Sequence, residues 1–152
     1  MVAFQNVSGR SDLPPPASFE RWVRAALTDR VTGEVVIRVV DRTESQALNR
    51  TYRGKDQPTN VLAFAAAPLK CPLPVGELAP IGDLVICAPV VRSQAQRQGV
   101  TEEAHWAHMV IHGCLHLLGC DHQTKSQARA MEGRETALLE ALGFPDPHQS
   151  VR

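Results

Sequence analysis

The chain is 152 residues long, with 16 Lys+Arg balanced by 16 Asp+Glu, 43% hydrophobic residues and 21% charged ones. That size suits one domain, residues 1–152, able to bury a core without disulfides, and the apolar fraction excludes a disordered chain. Zero formal charge excludes a polycation that holds nucleic acid by bulk electrostatics, so any nucleic-acid role must come from a local pocket.

Val2 to Val7 is mildly β-like and suits an edge strand. Three consecutive prolines, Pro14 to Pro16, then mark a turn, since they donate no backbone hydrogen bonds. Phe19, Trp22, Val23, Ala26 and Leu27 recur at helical spacing, with Ser18 as the expected N-cap. Thr32-Gly33 is a turn. Glu34 to Val40 is β-branched and reads as a buried strand. Thr43 to Asn49 reads as a helix and Tyr52 to Asn60 as a polar loop. Val61 to Phe64 is a short strand, and the proline-rich stretch from Ala65 to Pro80 is a surface excursion. Gly82 to Cys87 is a further strand. Ala88 to Gln98 is a helix with Pro89 at its start and Gly99 past its end.

Thr101 caps the next helix, which carries Glu102 and Glu103 in its first turn, runs to about Leu118 and stops at Gly119. Its apolar residues cover more than one face, so it is expected to be largely buried. A last helix covers about Ser126 to Leu142. The irregular mixture of strands and helices predicts an α+β fold, a small mixed sheet packed against several helices with the histidine-bearing helix at the centre. No run of about 18 apolar residues occurs, so no membrane span is expected. Met1 to Arg10 lacks a basic segment leading into an apolar stretch, so no secretory signal is expected. Cys71, Cys87, Cys114 and Cys120 form no CxxC pair and read as free thiols of a cytoplasmic protein.

The segment from His112 to His122, HGCLHLLGCDH, carries the chemistry. His112 and His116 are four residues apart and share a helix face. Gly119 can take the positive φ that ends the helix, letting the chain return His122 to the same point. Three imidazoles on one ion leave a fourth position open, which is the pattern of a catalytic zinc site. The spacing matches the metzincin peptidase pattern, except that the Glu after the first histidine is here Gly113, so a peptidase reading loses its proton acceptor. His105 and His108 lie on the same helix, and His108 is read either as a pocket residue or as packing. Asp121 either orients a ligand imidazole or caps the turn at Gly119. Cys114 reads as core and His148 as a solvated tail residue. Arg50, Arg53 and Lys55 cluster in the polar loop, and a guanidinium near a metal would match phosphate oxygens.

The same residues resemble a known family. HGCLHLLGCDH resembles the HGxLHLxGxDH signature of the YbeY family of bacterial endoribonucleases, and YRGKDQPTNVLAF and GDLVICAPVV resemble its other two signatures, in the same order. The chain departs from the family pattern at Ala63-Phe64-Ala65 and at Cys120. The resemblance implies one zinc ion held by His112, His116 and His122, with Arg53 as the arginine used near the metal. It further implies cleavage of single-stranded RNA in maturation of the small-subunit ribosomal RNA 3′ end, and a part in ribosome quality control. The small ribosomal subunit and an Era-type GTPase are the partners it implies. Two other readings stand beside it, a non-catalytic zinc-containing ribosome assembly factor and a metallohydrolase of peptide or amide bonds.

Overall fold

A computed structural model describes residues 1–28, 33–67 and 78–148. Among them are four strands and five helices, in the order β1 (Val2–Asn6), α1 (Pro16–Leu27), β2 (Glu34–Val40), α2 (Arg42–Arg53), β3 (Val61–Ala65), β4 (Pro80–Cys87), α3 (Ala88–Gln98), α4 (Glu102–Leu117) and α5 (Lys125–Ala141). The strands form one mixed sheet in the order β1-β2-β4-β3. β1, β2 and β4 run parallel, and β3 pairs antiparallel with β4. The fold is therefore α+β with a small mixed sheet. β1 lies at the sheet edge, as its short and weak β signal suggests. Thr32, most of the proline-rich stretch, and Cys71 lie outside the described residues.

Side chains alternate across the sheet, as the strand period of two requires. Val35, Ile37, Val39, Leu84 and Ile86 point into the main core. Val40, Val85 and Cys87 point the other way, into a smaller cluster that Leu48 of α2 helps to cover. The main core joins the sheet to α1 and α4 through Phe19, Trp22 and Trp106, all fully buried. Their rings meet edge to face, with centroids 5.3 Å apart for Phe19–Trp22 and 5.6 Å for Phe19–Trp106. Burying each such side chain contributes about 1.5–3 kcal/mol, which anchors α4 before any ligand is considered.

α4 is buried on several faces, including His105, Trp106, Val110, Ile111, Gly113, Cys114 and Leu115. Gly113 lies close against the sheet. A Cβ there would sit 2.7 Å from Cδ2 of Leu84 and 3.3 Å from Cγ2 of Val61. The residue that breaks the peptidase pattern is thus fixed by packing, with no room for a glutamate.

Helix ends differ from the sequence expectation in three places. α1 begins at Pro16 with Pro15 at the cap position, not at Ser18. A proline ring already holds the φ that a first helical residue needs. α2 extends to Arg53, so Tyr52 and Arg53 are helical rather than in the loop. Asp41 caps its start by accepting from the Glu44 N–H at 3.1 Å, and Gly54 ends it in the left-handed region at φ 70°. α5 starts at Lys125 behind a capping box, in which Thr124 and Gln127 each accept the other's backbone N–H.

Candidate metal centre

His112 and His116 project from the last two turns of α4, with ring centroids 4.8 Å apart. The helix then closes with a Schellman motif, in which Cys120 N–H donates to Leu115 O and Gly119 N–H to His116 O, both at 3.0 Å. Gly119 takes φ 94° to make that turn. The reversal brings the His122 ring to 5.0 Å from His116 and 5.8 Å from His112. The three residues each offer a ring nitrogen, and these atoms lie within 4.8 Å of one another. Asp121 accepts the His122 backbone N–H at 2.7 Å, so it shapes this turn through the main chain.

Glu135 of α5 is the side chain that sequence reasoning missed. Its carboxylate is only 2% exposed. Oε1 lies 2.5 Å from Nδ1 of His112, and Oε2 lies 2.8 Å from Nε2 of both His108 and His148. A carboxylate accepts only, so Nδ1 of His112 carries the proton and Nε2 is left free. A histidine that ligates a metal has this arrangement, its second nitrogen donating to a carboxylate. Burial by itself would raise the Glu135 carboxyl. The hydrogen bonds from His108 and His112 outweigh it and hold the group well below the usual carboxylate range. A signal for it was present, because Met131, Glu135 and Leu139 form one buried i, i+4, i+8 row on α5 with an acid in its middle.

His148 is exposed, as expected of a tail residue, but its ring is held in place, with Nε2 2.8 Å from Glu135 Oε2. Asp146 accepts from the Thr136 hydroxyl at 3.0 Å and from the His148 N–H at 2.8 Å, folding the tail back over α5. His108 faces Glu135 rather than the three-histidine cluster. Nε2 of His105 donates to Gln94 Oε1 at 2.8 Å, and Asn60 Nδ2 donates to the same oxygen at 3.2 Å. Because that oxygen only accepts, His105 carries its proton on Nε2. Burial, then the neighbouring His108 ring, lower its pKa from 6.5 to about 4. Burial, followed by the His112 and His122 rings, also lowers His116, favouring the neutral imidazole that a metal requires. Cys114 is no competing ligand, since burial pushes its thiol up to about 12.

The three histidines open onto a cleft of about 750 Å³ that Arg53, Tyr52, Phe64 and Asn60 also line. Of the three basic residues read as one cluster, only Arg53 reaches this cleft. Arg50 faces Asp56, 3.8 Å away, and Lys55 is not among the lining residues. Ser45 and Asn49 of α2 tie down the intervening loop, Ser45 through both backbone groups of Thr59 at 3.0 Å and Asn49 through Gln57 O at 2.8 Å. Tyr52 is 64% exposed, and its ring centroid lies 5.0 Å from that of Phe64.

The donor set fits a metal ion. It offers three imidazoles whose ligand atoms lie within 4.8 Å of one another, one of them with its proton fixed on Nδ1 by Glu135.

Fold and site together define an α+β protein with a histidine cluster suited to a divalent metal, set in a cleft with an arginine on its rim. The chain belongs to the endoribonuclease YbeY family, whose model matches residues 6–143. Membership makes it a nuclease of the hydrolase class with a role in ribosomal RNA processing. It is also similar to TM1509 from Thermotoga maritima, solved in solution, at 25% identity and a TM-score of 0.52. That match covers 99% of this chain and 100% of the other.

Proposed function

We propose that the chain is a zinc-dependent endoribonuclease that cleaves single-stranded ribosomal RNA, maturing the small-subunit RNA 3′ end in the cytoplasm and serving ribosome quality control. The observation that carries this reading is the shared cleft, in which His112, His116, His122 and Arg53 face one space of about 750 Å³. His112, His116 and His122 would hold one zinc ion. When bound, such an ion supplies a Lewis acid and lowers the pKa of a bound water to about 7.

The remaining work falls to the chain. Glu135 keeps the His112 proton on Nδ1 and so aims Nε2 at the metal. Arg53 makes no ion pair with another described residue, leaving its planar fork available for phosphate oxygens. Tyr52, braced edge-on by Phe64, offers an exposed ring on which an unpaired base can stack. That platform favours a single strand over a duplex, whose bases are already stacked. The small ribosomal subunit is the partner that such a substrate entails, and an Era-type GTPase is the partner that the family resemblance adds. Among the described residues no helix is long and apolar enough to cross a membrane.

The test is cleavage of a single-stranded RNA spanning a precursor small-subunit 3′ end by purified protein. Arg53→Ala and His116→Ala proteins, prepared identically, run beside the wild type. Cleavage by wild type that both variants lose is the expected result. Equal cleavage by all three would reveal a contaminant. No cleavage by any, with normal ribosome assembly in an Arg53→Ala strain, would favour a non-catalytic assembly factor.

A further inference from the structure

We propose that His108, Glu135 and His148 form a second cation site, separate from the three-histidine cluster, that takes a divalent transition ion of the zinc type. The inference does not depend on the RNA-cleavage reading. Its basis is convergence: three ligand atoms from α4, α5 and the folded-back tail lie within 4.8 Å of one another. Two imidazole Nε2 atoms approach a single carboxylate oxygen, Oε2 of Glu135, each at 2.8 Å.

That oxygen belongs to a carboxylate almost wholly shielded from water, with side-chain exposure of 2%. Its surroundings at close range are the imidazoles of His108, His112 and His148. No arginine or lysine is paired with it among the described residues. A buried anion without a fixed cationic partner is costly, and a divalent ion would supply the missing charge. Two imidazoles and one carboxylate form a known zinc ligand set, which leaves one tetrahedral position open. The three residues line a cavity of about 260 Å³, where a water can occupy that position. Nitrogen donors select zinc, nickel or copper over magnesium and calcium.

The protons balance without a co-reactant. In the metal-free form each Nε2–H donates to Oε2. On binding, each ring moves its proton to Nδ1 and gives the Nε2 lone pair to the ion, while Oε2 exchanges two hydrogen bonds for one metal bond. Oε1 keeps its hydrogen bond from His112. Nδ1 of His108 is buried and without a partner among the described residues, so its new proton is poorly served. The second ion should therefore bind more weakly than the one on His112, His116 and His122.

Equilibrium dialysis of the full chain against buffered free zinc, under thiol reductant, tests the proposal. Wild type should take up two zinc ions per chain in two separate steps. His148→Ala should lose the weaker step and keep the tighter one, and His122→Ala should do the reverse. Circular dichroism of each variant should match wild type, since both residues lie outside the helices. Saturation of wild type at one ion overturns the proposal. So does a weaker step that survives in His148→Ala, or one that disappears with His122→Ala while the circular dichroism stays native.

Discussion

Oε1 of Glu135 lies 2.5 Å from Nδ1 of His112, joining α5 to the face of α4 that carries the metal-ligand candidates. This contact sets which nitrogen of His112 carries the proton, and so which one is free for an ion. Replacing Glu135 with Gln keeps the size of the side chain but removes the charge and one acceptor oxygen. Loss of such an orienting partner commonly costs about 10–100-fold in metal affinity. Glu135→Gln is therefore expected to weaken the tighter zinc step by that factor, read by competition with a chromophoric chelator. Unchanged affinity would mean that the imidazole is oriented by α4 packing alone.

Arg53 sits at the last turn of α2 with its side chain exposed. Changes at such a position usually shift stability by no more than about 0.5 kcal/mol. If it stabilises charge developing on a phosphate, Arg53→Ala should lower RNA cleavage about 100–1000-fold, the range for losing one preorganised donor. Arg53→Lys should recover only part of that loss, because an ammonium lacks the planar fork. Steady-state rates together with urea midpoints would separate the two effects. A fall in activity matched by a fall in midpoint would assign Arg53 to structure instead.

How much of this site was legible beforehand follows from sequence distance. His112, His116 and His122 lie within eleven residues, and helix periodicity plus one glycine turn brings them together. Glu135 acts on residues 23 and 27 positions away, across two helices, and no local pattern links them. His148 depends on Asp146 bridging to Thr136, a tertiary contact that composition does not encode, so the tail reads as solvated. Arg53 was singled out by resemblance, and its place on the cleft, apart from Arg50 and Lys55, was not legible. That separation depends on α2 continuing through Tyr52 to a stop at Gly54, two residues that look like loop in a polar stretch. The strands were read well because β-branched runs facing two cores leave little alternative.

Acid should destabilise the fold in two stages. The folded pKa of His105 is lowered from 6.5 to about 4, by burial first and then by His108. The unfolded chain therefore takes up a proton near pH 6.5 that the folded chain refuses until about pH 4. In that window the unfolded state binds more protons, so stability is full above pH 6.5 and falls as the pH drops, by up to about 3 kcal/mol. Glu135 adds a lower stage. Its folded carboxyl stays ionised below its ordinary 4.5, so stability falls further once the unfolded chain protonates there. Urea midpoints of metal-free protein between pH 7.5 and pH 4.5 should decline, and His105→Gln should decline less steeply. Parallel curves for the two proteins would remove His105 as the source.

Gly113 tests why this helix carries no glutamate beside His112, its first candidate ligand. Alanine is favoured over glycine within a helix by about 1 kcal/mol. Against that gain, the new Cβ would meet Leu84 at 2.7 and 3.1 Å and Val61 at 3.3 Å. Leu84 is fully buried between sheet and helix and has little room to turn away. Overpacking of this kind costs about 1–3 kcal/mol, so Gly113→Ala should lower stability by a net amount on the order of 1 kcal/mol. Gly113→Glu adds a buried charge with no partner and should fail to fold, which makes it unusable as a simple test of peptidase chemistry. Urea midpoints for the alanine variant and soluble yield for the glutamate variant provide the measurements. An alanine variant as stable as wild type would show that Leu84 yields and that the approach of α4 to the sheet is looser than this geometry states.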